Sequence, residues 1–370
     1  MYELNTSGQE TVRYTFPGVT AGTNPVAGVV RDSSGNFYGT TYKGGRGYGV
    51  VFKLSASGQE TLLHNFTGGA DGGYPYAGVI LDPSGNLYGT TLYGGTAGAG
   101  VVYKVSPSGQ ETVLYNFTGG ADGGNPYAGV IFGGPNLYGT THSGGASNAG
   151  VVYMVSPSGK ETVLHSFTGG ADGGWPYAGV IFGGANLYGT TYFGGTGGNK
   201  CSSGCGVVYK MTTAGLETVL YSFTGIGADG ANPYAGVIRD SGGNLYGTTA
   251  LGGTSGYGMV YEVEASGSVM ALYDFTGGVD GGRPYAGVTL GASGDLYGTT
   301  WEGGASGSGV VYALSVPAST WQENVLYNFT GGADGGDPYA GVIRDSSGDL
   351  YGTTTFGGKE GTGVVFKLTP

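Results

Sequence analysis

The chain is 370 residues long, and its 85 glycines would suit a disordered or fibrous protein were 39% of residues not hydrophobic and 13% not aromatic, enough for a packed core. A net charge of -11 with only 14 Lys plus Arg argues against an electrostatic grip on phosphate backbones, so nucleic acid is not an expected partner. No apolar run approaches the ~20 residues a spanning helix needs, so no membrane insertion is expected.

In chain order, the first β-prone run is ETVRYTF, from Glu10 to Phe16, preceded by MYELNT. A unit then repeats seven times, marked by YGTT with its tyrosine at 38, 88, 138, 188, 246, 297 and 351, spaced 50, 50, 50, 58, 51 and 54 residues apart. Such a period belongs to solenoids, arrays or propellers. Each unit holds four short runs, as in YAGVILD, NLYGTT, GVVYKVS and ETVLYNF, without helical periodicity. Segments such as DPSGN and SPSGQ, after the first and third runs, are compact glycine turns that close antiparallel hairpins. Four antiparallel strands, a to d from the axis outward, make one propeller blade.

The fourth unit carries the longest insertion, with Cys201 and Cys205 in NKCSSGCG. With no other cysteine and no histidine beside them, zinc lacks ligands. A local disulfide is expected, free thiols being the alternative, and it leans towards an extracellular or cell-surface location.

The chain ends on GVVFKLTP, a strand c without its strand d, whereas Glu10 to Phe16 is a strand d without its blade. Joined, 1–16 completes the blade formed by 340–370. The step from Tyr351 through both ends to Tyr38, less the six residues of MYELNT that duplicate the C-terminal strand, is 51 residues, an ordinary repeat. The expected fold is all-β: a single domain over 1–370, a seven-bladed β-propeller with four antiparallel strands per blade, its last blade closed by the N-terminal strand. Met1 to Thr6 is spare in this scheme, either a displaced remnant or a strand that pairs with a second molecule. A monomer is the expectation, strand-mediated assembly the alternative.

The recurring NLYGTTxxGG, GVVYK and FTGGADGGxPYAGV resemble the Gloeo/Verruco (GloVer) tandem repeat of bacterial secreted or surface-anchored proteins, and the sequence of strand a, DxxGNLY turn and strand b is more distantly similar to NHL-type propeller repeats. The resemblance spans the whole chain. It implies a secreted bacterial propeller and carries over no catalytic residue.

In this strand order the d-to-a and b-to-c connections emerge on one face. That face gathers FTGGADGGxPYAG and TTxxGG, which hold the positions that vary most between copies and where a rigid scaffold places function. The residue before the recurrent proline reads Asn24, Tyr74, Asn125, Trp175, Asn232, Arg283 and Asp337. The pair after YGTT supplies Tyr42, Tyr93, His142, Tyr192, Trp301 and Glu302. Tyr74, Trp175, Trp301, Tyr42, Tyr93 and Tyr192 are candidate stacking platforms for sugar rings or flat protein contacts; alternatively they fold back over the glycine loops.

The acid of the ADGG segment recurs at Asp71, Asp122, Asp172, Asp229, Asp280 and Asp334 and is expected to cap its own turn. A ring of these carboxylates around an axial cation is the alternative, though one acid per loop falls short of the oxygen cage calcium prefers. No metal and no cofactor is expected. His64 and His165 fall in outer strands. Glu302, Asp337, Arg283 and His142 are the set from which glycosidic chemistry could be built, since no G-x-S-x-G or HExxH motif is present.

The reading that follows is a secreted, non-catalytic binding or adhesion propeller that recognises carbohydrate or a protein partner through aromatic loops on one face. Near-identical copies favour it, because they offer several similar shallow sites. A polysaccharide hydrolase or lyase with its site on the same face is one alternative, and a self-assembling structural subunit is another.

Overall fold

The computed structural model describes residues 11–18, 20–197, 200–316 and 320–370. Among them there is no helix, and seven sheets of four antiparallel strands form the blades of a propeller. Blade 1 comprises Val30–Arg31, Phe37–Thr41, Val50–Leu54 and Glu60–Asn65, strands a to d in order, and blades 2 to 6 repeat that order along the chain.

The seventh blade closes the circle. Its strands a to c are Ile343–Arg344, Leu350–Thr354 and Val364–Leu368, and its outer strand is Thr11–Thr15, antiparallel to Val364–Leu368 with Thr15 opposite Val364. Val12 packs in the core between blades 6 and 7, and Phe16 in the core between blades 7 and 1. The spare segment Met1 to Thr6, and with it the strand-mediated assembly, lies outside the described residues.

Every junction between blades is made the same way. The first threonine of YGTT donates its hydroxyl to the alanine carbonyl of the next blade's AGV segment, from Thr40 to Ala77 round to Thr353 and Ala27, at 2.8–3.0 Å. The glycine after that alanine abuts its counterpart. A Cβ on Gly78 would lie 3.0 Å from the Gly28 carbonyl oxygen, and one on Gly28 would lie 3.6 Å from that of Gly341. Glycine allows seven backbones to approach this closely, and the last contact in the series returns to the first. Between the blades, sheet faces bury apolar side chains; the cluster joining blades 1 and 2 holds Val51, Phe66, Val79, Leu87 and Tyr103. Apolar burial at about 25 cal/mol per Å² is the main stabilising term.

One expectation changes. The sequence predicts strand a over all of YAGVILD, but it is two residues long in blade 2, Ile80–Leu81, and three in blade 3, Ile131–Gly133. The junction explains this: the alanine carbonyl and the glycine are committed to the preceding blade and do not ladder with their own strand b.

Candidate functional site

The d-to-a and b-to-c connections share one face, knitted by backbone hydrogen bonds. Gly73 exchanges both of its backbone bonds with Tyr93. The next residue, Tyr74, donates its N–H to the Tyr48 carbonyl of blade 1 at 2.6 Å and accepts from the Leu92 N–H of blade 2 at 3.1 Å. The same stitch recurs at Asn24, Asn125, Trp175, Asn232, Arg283 and Asp337, and all seven residues take left-handed φ between 50° and 58°. Asparagine tolerates that region, whereas other side chains pay about 1–2 kcal/mol. Asparagine also uses its amide here: Asn125 donates to the Leu92 carbonyl and Asn232 to that of Tyr192.

Two residues after each stitch stands a tyrosine in six of the seven copies. Tyr76, Tyr127, Tyr177, Tyr234, Tyr285 and Tyr339 pack in a closed circle, neighbouring ring centroids 4.4–5.8 Å apart, the last meeting the first past Val26. Tyr234 reaches across to Tyr76, with hydroxyls 3.1 Å apart. Burial raises the pKa of Tyr76, Tyr234 and Tyr339, so these phenols stay neutral. This aromatic plug was missed at the level of sequence, because a motif repeated in nearly every copy reads as turn chemistry.

His142 belongs to the plug, wedged between Tyr127 and Tyr177 with ring centroids 5.0 and 4.6 Å away. Burial pushes its imidazole down to about 4, so it carries no charge at neutral pH. It stands in blade 3, across the circle from Glu302 of blade 6, which corrects its place in the proposed catalytic set. The other three members do assemble. Arg283 Nε pairs with Glu302 Oε1 at 2.8 Å, and burial and the Glu302 charge push the Asp337 carboxyl above the usual carboxylate range. Trp301 packs edge-on against Tyr285 at 5.6 Å.

The ADGG aspartates lie at the outer strands, not around the axis, a correction to the cation-ring alternative. Asp122 accepts from the Thr118 N–H at 2.8 Å and from the Tyr115 hydroxyl at 2.9 Å, and also bonds the Thr118 hydroxyl. Asp71, Asp172, Asp229, Asp280 and Asp334 likewise accept from the backbone N–H of their own turn's threonine. His64 and His165 reach Asp71 and Asp172 at 3.3 Å. Among the described residues no cluster of three or more His, Cys, Asp or Glu could hold a metal ion.

The candidate aromatics form two patches. Tyr42, Tyr74 and Tyr93 come together with Tyr48, centroids 5.2–6.0 Å from Tyr74; Tyr93 is 44% and Tyr48 37% exposed. Trp175 rests on Gly169 and meets Phe193 at 5.8 Å, and Phe193 meets Tyr192 at 4.6 Å. Tyr48 and the equivalent, exposed Tyr257 escaped the sequence reading. Their signal was available in the position before the glycine that opens strand c, which reads Tyr48, Ala99, Ala149, Cys205, Tyr257, Ser308 and Thr362. Cys205 is disulfide-bonded to Cys201, with Cα atoms 5.3 Å apart.

Residues 1–201 and 195–370 each match the Gloeobacter/Verrucomicrobia repeat. The chain belongs to this repeat family. Among solved structures it is similar to a streptogramin B lyase, at 16% identity and a TM-score of 0.63 over 96% of both chains. It is also similar to a puromycin hydrolase, at 10% identity and a TM-score of 0.55 over 90% of this chain and 50% of that one. At these identities the likeness is one of fold. No curated protein matches.

In this Gloeobacter/Verrucomicrobia repeat propeller, departures from the common unit on the knitted face fall into three sectors. Blades 1 and 2 present the tyrosine patch. Blades 3 to 5 present Trp175, Phe193 and the disulfide. Blades 5 to 7 present a groove of about 470 Å³ whose lining includes Tyr257, Val279 and Glu302, with Arg283 and Asp337 alongside.

Proposed function

We propose that the knitted face is a carbohydrate-binding surface of a secreted or surface-displayed protein, and that its action is binding rather than catalysis. The carrying observation is the backbone at Tyr74 and Trp175. Both hold a left-handed φ that asparagine fills in three sibling loops, and each is flanked by further aromatic rings. Retaining an aromatic where asparagine fits more cheaply marks a place selected for what the ring does. Flat rings beside glycine-rich loops suit pyranose faces. The disulfide and the repeat family support an extracellular setting.

Asparagine is the natural substitute, so Tyr74→Asn and Trp175→Asn keep the stitch and remove the ring. On a glycan array, the double variant is expected to lose at least tenfold in apparent affinity while its melting temperature stays within a few degrees of the parent. Full retention of binding by the double variant would overturn the proposal.

A second reading rests on the Arg283, Glu302 and Asp337 group, where one carboxylate is ion-paired and another is raised, the division of labour of an acid and its partner in polysaccharide cleavage. Product formation that disappears in Glu302→Gln would favour it.

A further inference from the structure

The junction between blades 4 and 5 keeps the common threonine bond, from Thr190 to Ala235 at 2.8 Å, but its face loops depart from the repeated unit. Its b-to-c loop carries the disulfide insertion, and the d-to-a loop after it reads FTGIGADGANP where four of its siblings read FTGGADGG, one FTGGVDGG and the seam copy FPGVTAGT. The insertion is fastened at several points. The Cys205 carbonyl accepts the Asn232 N–H at 2.7 Å, the Gly194 N–H donates to Ser203 at 2.7 Å, and the Gly206 N–H returns to the Gly194 carbonyl at 3.0 Å. Both sulfurs lie against Gly225, 3.1 and 3.5 Å from where its Cβ would be. The cross-link thereby holds the insertion beside the next loop and leaves a groove of about 420 Å³ between them.

The groove's chemistry is mixed in a telling way. Phe193, Leu251 and the disulfide make an apolar wall, while Lys200, Ser202 and Asn232 bring polar groups. Asn232 is only 5% exposed, its amide nitrogen already held by the Tyr192 carbonyl, so the amide is fixed in orientation. No carboxylate stands among the described lining residues, in contrast to the blade 5–6 groove, where Glu302 does. On a chain of net charge -11, an anion is admitted where a cation faces it without acidic neighbours.

We infer that this groove is a subsite for a hexuronate, the acidic unit of an anionic polysaccharide, and that the Cys201–Cys205 disulfide assembles it. This rests on the carbohydrate reading above. The pyranose face lies on Phe193, the carboxylate pairs with the Lys200 ammonium, and ring hydroxyls meet Ser202 and Asn232. Lys200 acts as a specificity residue, and the two cysteines act as positioning residues.

Calorimetric titration of the full chain tests it, with tetragalacturonate, its neutral galactose tetramer and a glutamate tetrapeptide as probes. The expected result is roughly tenfold tighter binding of tetragalacturonate than of the neutral tetramer, weakening with added salt. Lys200→Gln removes that preference without lowering the melting temperature, and reduction of the disulfide weakens both saccharides. Equal binding of the two tetramers, or a preference that survives Lys200→Gln, would sink the inference. So would a tetrapeptide bound as tightly as the uronate, since charge alone would then suffice. Binding unchanged by reduction would overturn the role of the disulfide. If the neutral tetramer binds and loses affinity in the Tyr74→Asn, Trp175→Asn variant, the carbohydrate reading stands whichever way Lys200 falls; if neither tetramer binds, both fall.

Discussion

Five tyrosine hydroxyls, on Tyr103, Tyr153, Tyr209, Tyr261 and Tyr312, are buried without a hydrogen-bond partner. Blades 1 and 7 place Phe52 and Phe366 in the same strand-c slot. A buried, unpaired hydroxyl costs about 1–3 kcal/mol, so Tyr209→Phe is expected to leave the melting temperature unchanged or raise it; a clear fall would reveal a bond to that oxygen. The facing glycine behaves oppositely. A Cβ on Gly189 would lie 2.5 Å from the Tyr209 hydroxyl oxygen, and Gly189→Ala should destabilise by roughly 1–3 kcal/mol through overpacking. Of the candidate site, the sequence made legible what varies between copies: Tyr74, Trp175 and the charged trio. The plug tyrosines, by contrast, show their role only when six identical turns converge on one axis. Likewise, nothing local in ADGG tells whether its acid points inward or, as Asp122 does, towards Tyr115.

At the level of the strand, the glutamates that open strand d have a common predicament. Glu111, Glu161, Glu217 and Glu323 are pushed up to about 7 by burial, with the ADGG aspartate of the preceding junction adding to the shift. Glu60 moves the same way, although Tyr14 donates to it at 2.7 Å. A carboxyl raised on folding binds more protons in the native than in the unfolded state, so its stability contribution is present at low pH and is lost as pH rises through about 7. His142 opposes this: its folded value of about 4 favours the native state as pH climbs towards 6.5, and His64 shifts in the same direction. Above pH 6.5 the histidine effect tails off and the four glutamates outweigh it. The melting temperature is therefore expected to fall between pH 6.5 and 8, and the quadruple Glu→Gln variant at 111, 161, 217 and 323 should flatten that slope. A parent curve that rises over this interval would contradict the account.

For the molecule as a whole, the seam between blades 7 and 1 decides whether there is a propeller at all. It repeats the common junction, with Thr353 bonded to Ala27 at 3.0 Å, and adds an Arg31–Asp345 ion pair at 2.7 Å. Deleting Thr11 to Phe16 removes the outer strand of one blade together with Val12 and Phe16 from two inter-blade cores. The expected outcome is cooperative loss of structure by circular dichroism rather than trimming of a single blade; an unshifted melting midpoint would refute it. This closure was legible because ETVRYTF and GVVFKLTP are complementary fragments of one repeated unit. The shortness of strand a was not, since which carbonyl a threonine hydroxyl reaches depends on the neighbouring blade.

The same seam sets a timetable. Ribosomes add roughly 5–20 residues per second, so Thr11–Thr15 emerges tens of seconds before Val364–Leu368, the strand it must flank. Through that interval Thr11–Thr15 lacks the strand it flanks in the finished blade, and a β-prone segment with open backbone groups is a template for pairing elsewhere.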